Sequence, residues 1–453
     1  MSRCYALTLL CLAGATLPLT GSVPVLAKQV QLDVALAHPT MYAGEGGSRE
    51  NHLRIALTGF DLPDDKPRMP VNVAIVIDKS GSMQGEKIEQ ARRAAMQAVD
   101  RLRASDIVSV VTYDSSVEVV MPATKATDRE AIKRRIREIQ ASGNTALFAG
   151  VSKGAAEVRK FLDDKRVNRV VLLSDGLANV GPSSPAELEQ LGTTLLREGI
   201  SVSTMGLGLG YNEDLMSRLA LASSGNHVFI EDAENLVKVF QNEFDDVLSV
   251  VAQRIKIQVK LAEGIRAVKL LNDSAEISGQ LVSIDLGQLY SQQERYFVLE
   301  VEVPLGESGG SRPVAKVSVE YFNMATETVD KLSSSVQVKF SHTREVADKD
   351  VDPDILAACV IQIANQRNRE ATLLRDAGKI EDARQLLLSN AAYLTNEYQR
   401  LGRDDLRQRG QLNKTQAAQL DAPNWAGNRK SMVEAQVSDA IQQSYRGTGE
   451  KAD

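Results

Sequence analysis

The sequence predicts an α/β protein: a doubly wound, mostly parallel sheet inserted in an antiparallel β-sandwich and followed by a C-terminal helical hairpin. Three observations carry that expectation. Residues 73–77 (Val-Ala-Ile-Val-Ile) form a β-branched run that is apolar on both faces, as a strand covered on both sides must be. Similar runs recur at 107–113, 169–174 and 200–207, and the stretches between them repeat apolar residues at helical spacing. On either side of this region the pattern changes to strict alternation, the mark of half-buried antiparallel strands.

The bulk numbers are those of a folded protein with ample core. The chain has 453 residues, 43% hydrophobic and 25% charged, enough for several domains. A formal net charge of −6 argues against nucleic acid and anionic membrane as main partners.

Residues 1–27 read as a cleavable export signal: Arg3 supplies the positive end, Leu7 to Ala15 the apolar stretch, and Val25-Leu26-Ala27 the cleavage site. Pro18, Thr20, Gly21, Ser22 and Pro24 interrupt the run and disfavour a membrane anchor. Of the three cysteines, Cys4 and Cys11 fall within this signal and leave Cys359 alone, so the exported form has no internal disulfide. A large exported protein without one fits a bacterial envelope, the periplasm first and the cell surface or exterior second.

Taken in order, Val30, Leu32, Val34 and Leu36 alternate with polar neighbours, and Leu53, Ile55 and Leu57 resume the pattern after a Gly-rich turn. Two strands alone are marginal in water, so residues 28–69 need partners from elsewhere in the chain. Residues 70–250 then alternate strand and helix. Ile88, Ala91, Ala95, Val99 and Leu102 lie on one helical face. Residues 117–120 follow the strand 107–113 across an Asp-Ser-Ser turn and should pair with it as a hairpin. Further helices are expected at 128–140, 147–162, 187–197, 213–222 and 233–248, and a short strand at 228–230. From Arg254 alternation returns, with strands expected near 254–261, 280–286, 296–303, 314–321 and 335–340. These strands of 251–341 are expected to complete the sandwich begun by 28–69. Asp352-Pro353 opens a helical hairpin over 352–405, and residues 406–453 read as a polar, loosely held tail.

The candidate chemistry lies where the first buried strand ends, at Asp78-Lys79-Ser80-Gly81-Ser82. Ligands of open α/β sheets bind beyond the carboxyl ends of the strands, at the switch point of the strand order. Asp175 ends the strand 169–174, and Thr145 stands in the loop Gly143-Asn144-Thr145-Ala146 on the same edge. Asp78, Ser80, Ser82, Thr145 and Asp175 offer only hard oxygens. That set suits Mg²⁺ or Mn²⁺, and Ca²⁺ as a third choice, rather than zinc or copper. Three neutral hydroxyls leave the ion electrophilic and a coordination position open to an outside carboxylate.

Asp-x-Ser-x-Ser after a buried strand, Thr145 in Gly-Asn-Thr-Ala-Leu, and Ser174-Asp175-Gly176 after a later strand together resemble the von Willebrand factor type A domain. The resemblance covers about 70–250, and all five positions of that family's metal-ion-dependent adhesion site are present. Residues 71–83 and 206–214, with flanking β-strands, resemble bacterial exported relatives of inter-alpha-trypsin inhibitor heavy chains. The resemblance implies cation-dependent capture of a protein partner, often through the partner's acidic side chain.

Competing chemistries find less support. A phosphotransfer aspartate would want a second carboxylate two positions on, where Ser80 stands. Gly206, Gly208 and Gly210 lack the Gly-x-Gly-x-x-Gly spacing of a dinucleotide loop, and no His-Glu-x-x-His occurs. His227 and Cys359 read as structural. The expected function is therefore that of an exported, non-enzymatic binding or adhesion protein. The alternative is an envelope scaffold in which the metal only stabilises the fold and the β-sandwich or helical end binds the partner.

Overall fold

A computed structural model of the chain describes residues 29–44, 47–62, 68–272 and 274–442; the expected export signal, 1–27, lies outside the described residues. The chain opens with β1 (Gln31–Leu36), β2 (Thr40–Tyr42) and β3 (Ser48–Thr58). The α/β region follows as β4 (Val71–Asp78), α1 (Glu86–Arg101), β5 (Ile107–Tyr113), β6 (Val117–Lys125), α2 (Arg129–Arg137), α3 (Leu147–Arg159), β7 (Val167–Ser174), α4 (Pro185–Arg197), β8 (Ser201–Leu207), α5 (Glu213–Ala222), β9 (His227–Ile230) and α6 (Leu236–Leu248). Then come β10 (Val250–Leu261), β11 (Arg266–Leu270), β12 (Glu276–Ser278), β13 (Leu281–Tyr290), β14 (Glu294–Pro304), β15 (Ser311–Asn323) and β16 (Thr328–Ser341). The helical end comprises α7 (Arg344–Lys349), α8 (Pro353–Asp376), α9 (Ile380–Leu401), α10 (Asp404–Ala418) and α11 (Trp425–Ile441).

The α/β sheet has the order β6-β5-β4-β7-β8-β9. β6 runs antiparallel to β5, as its three-residue turn requires, and the other strands are parallel. β4 is buried along its whole length and feeds both faces. Val73, Ile75 and Ile77 meet α1 and α6 through residues such as Ile88, Val99 and Phe244. Ala74 and Val76 meet α3, α4 and α5 through Val151, Leu195 and Leu219. Each large apolar side chain so enclosed contributes roughly 1.5–3 kcal/mol, which favours a central place for this strand.

The N-terminal strands find their partners across the inserted region. β3 pairs over its full length with β14 in a four-stranded antiparallel sheet ordered β1-β3-β14-β11. The facing sheet is β12-β13-β10-β15-β16-β2, and Leu53, Ile55, Leu57, Ile257, Val259, Val317 and Val319 fill the space between the two. β16 starts earlier than its apolar pattern suggested, because its first half alternates Ser and charged residues outward on an exposed edge.

Arg169 ties the α/β region to the sandwich. It is wholly buried near the start of β7 and donates to Ser203 Oγ at 2.7 Å, Gln288 Oε1 at 2.7 Å and Tyr290 Oη at 2.6 Å. Glu243 Oε1 from α6 stands 3.4 Å from it as counter-charge. This joint lies at the amino ends of the parallel strands, so their carboxyl ends face away from the sandwich.

The helical end departs from expectation. It is not one hairpin with a loose tail: residues 404–441 form α10 and α11 and pack with α8 and α9. The polar composition misled because α11 buries ionic groups as well as apolar ones. Lys430 Nζ donates to Tyr211 O at 2.6 Å and pairs with Glu213 Oε2 at 2.5 Å, and Arg429 pairs with Glu213, Asp214 and Asp376. Asn272 and Arg295 donate to Ala440 O at the far end of α11. The helix thus straps the α/β region to the sandwich. Cys359 is buried beneath Val298 and Leu356 in the layer between α8 and the sandwich, and burial pushes its thiol up to about 12.

Candidate metal centre

β4 ends in Asp78, which has no solvent exposure, and β7 beside it ends in Ser174. Parallel pairing sets these two carboxyl ends level with each other at the switch point of the sheet. Asp78 Oδ2 accepts a hydrogen bond from Ser174 Oγ at 2.7 Å, and its Oδ1 accepts from the backbone N–H of Ser80 at 2.8 Å. The second bond closes a tight Asp turn and swings Ser80 and Ser82 back over the strand end.

Ser80 Oγ and Ser82 Oγ are 3.1 Å apart, and Ser82 Oγ donates to Asp175 Oδ1 at 2.6 Å. Residues 78, 80, 82 and 175 are therefore linked through side chains although 97 positions separate the ends. Thr145 arrives from a third loop. Its hydroxyl is located by Gly176, where an added Cβ would lie 2.7 Å from Thr145 Oγ1 and 3.6 Å from Ser82 Oγ. The loop is stitched in place by Gly81 N–H to Gly143 O at 2.9 Å, Ser142 N–H to Lys79 O at 2.6 Å, and Thr145 N–H to Asn179 Oδ1 at 2.9 Å. Gly143 has φ +77°, a conformation that favours glycine, and an added Cβ would press on Asp114 and Ser115.

All five residues expected from the sequence thus meet at one place. Asp78, Ser80, Thr145 and Asp175 are buried, and Ser82 is exposed, so the cluster opens to solvent on the Ser82 side. Burial raises the Asp78 carboxyl, with the Asp175 charge adding to the rise and the hydrogen bonds from Ser80 and Ser174 opposing it. Two carboxylates held in one buried pocket call for positive charge. Lys87, the second residue of α1, supplies it: its Nζ stands 2.5 Å from Asp175 Oδ2. An ammonium at this spot is a stand-in for a cation, and the all-oxygen donor set around it fits a hard divalent ion.

Sequence reasoning missed Lys87 and Asn179, and it named Gly176 in the motif without its packing role. Lys87 had a legible signal, a lone cation nine residues beyond Asp78 at the start of the helix that follows the loop. The roles of Asn179 and Gly176 depend on close approach of the 145 loop, which no local pattern records. Away from this site, His227 Nδ1 is 2.9 Å from Thr204 Oγ1, and burial holds its imidazole down to about 4, a structural setting.

Comparison with known proteins places the site in context. Residues 72–243 match the family model of the von Willebrand factor type A domain. Uncharacterized protein sll0103 of Synechocystis is 26% identical over 375 residues, covering 78% of this chain and 87% of that one. Human inter-alpha-trypsin inhibitor heavy chain H2 is 29% identical over 196 residues, 41% of this chain and 21% of the relative. In three dimensions the chain resembles a von Willebrand factor type A protein from Catenulispora acidiphila, with TM-score 0.72, 16% identity, and 92% and 97% of the two chains covered. It also resembles the ArnB paralog VWA2 from Sulfolobus acidocaldarius, with TM-score 0.62, 18% identity, and 91% and 99% covered. These two structures bear on the fold of the whole chain.

Proposed function

We propose, from the premise that this chain carries a von Willebrand factor type A domain over residues 72–243, that it is a non-enzymatic binding protein. Asp78, Ser80, Ser82, Thr145 and Asp175 would hold a divalent cation, Mg²⁺ or Mn²⁺ by donor hardness. A bound cation would supply Lewis acidity toward an oxygen ligand from outside. The residues themselves do the rest. The buried carboxylates of Asp78 and Asp175 would offset part of the ion's charge, and the neutral hydroxyls would leave the rest uncancelled. The exposed Ser82 side leaves an approach for a partner's Asp or Glu.

The observation that carries this reading is the convergence of five oxygen-bearing side chains from three separate loops, with Lys87 already balancing their charge. Two exposed leucines support a protein partner over a small anion. Leu177, two positions past Asp175, and Leu209, beside Gly210 whose added Cβ would lie 2.7 Å from Asp175 O, leave apolar surface next to the site. Burying such a side chain against a partner contributes roughly 1.5–3 kcal/mol. The signal-like residues 1–27 support export to a bacterial envelope as the place of action. No helix among the described residues is long and apolar enough to cross a membrane.

The test is a pull-down from envelope extract with Mg²⁺ against the same extract with EDTA, repeated with Asp78→Ala and Ser82→Ala. Capture should require the ion, vanish in Asp78→Ala, and weaken less in Ser82→Ala, which removes only a neutral ligand. Equal capture by the wild type and Asp78→Ala would sink the reading.

A further inference from the structure

A second cluster of ligand-type side chains lies on the sandwich, on a different sheet from Asp78. Antiparallel pairing of β3 with β14 sets Glu300 directly opposite His52. Strand alternation puts Glu50 on the same face as His52, two residues away. This is the outer face of the four-stranded sheet, continuous with Ala56 and Val298, which α8 covers. One imidazole and two carboxylates therefore project from adjacent positions of a rigid ladder, and their ligand atoms all fall within 4.8 Å of one another.

His52 points to a missing ligand. The residue is only 8% exposed, and its buried Nε2 has no hydrogen-bond partner among the described residues. Glu50 Oε1 lies 3.5 Å away, beyond a good hydrogen bond. A buried ring nitrogen left unpaired costs about 1–3 kcal/mol, so such atoms call for an explanation. Burial, the largest influence, holds the imidazole below its ordinary value, and the Glu300 charge only partly opposes it. Imidazole is the commonest side-chain ligand for metals.

We propose that Glu50, His52 and Glu300 form a second divalent-metal site, for a zinc-class ion, independent of the Asp78 site. A nitrogen among the donors separates the two chemistries: imidazole with carboxylate suits Zn²⁺ and its first-row neighbours, whereas the all-oxygen Asp78 set suits Mg²⁺. Ligand bonds near 2.1 Å put neighbouring donors roughly 3.4 Å apart around a four-coordinate ion. The Glu50–His52 separation of 3.5 Å already matches this, and the Glu300 oxygen, within 4.8 Å of both, has the remaining gap to close. Lys269 Nζ, 3.7 Å from Glu300 Oε2, is the group to be displaced; it is 52% exposed and also reaches Gln366 Oε1 at 3.1 Å, which can keep it. Glu50 is 60% exposed, so the site opens to solvent on its side and retains water there. Three protein ligands and an open fourth position stabilise the junction of sheet and helices and leave the ion accessible.

The experiment is zinc titration of the full chain against a competing chelator, in an Asp78→Ala background that removes the first site. Cobalt(II) absorption serves as a second readout of an imidazole–carboxylate environment. The Asp78→Ala chain should bind one zinc. Glu50→Gln, a change at an exposed position that spares the fold, should weaken that zinc by more than the roughly 10–100-fold of an outer-sphere partner. His52→Gln should abolish the cobalt bands. Zinc binding and cobalt spectra that are the same with and without Glu50→Gln, or absence of zinc binding by folded Asp78→Ala chain, would overturn the proposal.

Discussion

Replacing Lys87 by Met tests whether the ammonium and the cation compete for one place. Lys87 Nζ lies 2.5 Å from Asp175 Oδ2, and the Asp175 side chain has no solvent exposure. A charged hydrogen bond of this kind is worth about 1.5–3 kcal/mol, and the lower end applies because the Lys87 side chain is 33% exposed and partly screened. In the metal-free protein that energy stabilises the fold. To use Asp175 Oδ2, an entering ion must first displace the ammonium and then bear its repulsion. Lys87→Met removes both obstacles. At about 1.4 kcal/mol per tenfold, Mn²⁺ affinity should rise roughly 10- to 30-fold. The metal-free protein should lose a few degrees of melting temperature, since Asp78 and Asp175 are left with no counter-charge. Calorimetric Mn²⁺ titration and thermal melts with and without metal read both sides of the cycle. Lys87→Arg, which keeps the charge, should leave affinity close to the wild type. Unchanged or weaker Mn²⁺ affinity in folded Lys87→Met would refute the competition and place the ion elsewhere than beside Asp175.

Other changes reach the site and its supports by separate routes. Gly176→Ala places a methyl 2.7 Å from Thr145 Oγ1, so the hydroxyl must move. Mn²⁺ affinity should fall by at least about tenfold if Thr145 is a ligand, and isothermal titration would show it. Arg169→Leu removes the counter-charge of buried Glu243, leaving it the neutral donors Ser203 and Asn226, and should destabilise the protein by about 3–5 kcal/mol in denaturant titrations. Its Mn²⁺ affinity should not change, because the joint lies at the opposite end of the strands. Burial lifts the Glu434 carboxyl on α11 to about 7, with the Phe229 N–H only partly opposing. The folded protein then holds that proton more tightly than the unfolded chain. The contribution is complete below about pH 4.5 and is lost as pH rises to 7, a loss of roughly 3 kcal/mol. Glu434→Gln should flatten that decline. Buried His227 works in the opposite sense, losing stability as pH falls from 6.5 toward 4, but it cancels in the difference between the two proteins.

Much of the fold was legible because its signals are local. The runs at 73–77 and 170–173 are apolar on both faces and read as covered strands. The turn 114–116 is too short for anything but an antiparallel return. The five oxygen ligands could be named because four of them stand at or just beyond the ends of two such strands, where an open α/β sheet exposes its side chains. The helical end was misread because its burial is ionic. Lys430 is unremarkable in a sequence and becomes a core residue only through Glu213 and Tyr211, more than two hundred positions earlier.

The sequence by itself determined which stretches become strands and helices, and which oxygens gather at the carboxyl edge of the sheet. Periodicity and turn chemistry operate over a few residues, so the elements themselves are written locally. Only the tertiary structure decided that Lys87 folds back onto Asp175, that α11 straps the α/β region to the sandwich, and that His52 faces Glu300. Each of those depends on the register or docking angle between elements distant along the chain. The alternation of Leu53, Ile55 and Leu57 already turns His52 outward, but a shift of two residues in the pairing of β3 with β14 would keep that face and set a residue other than Glu300 opposite it.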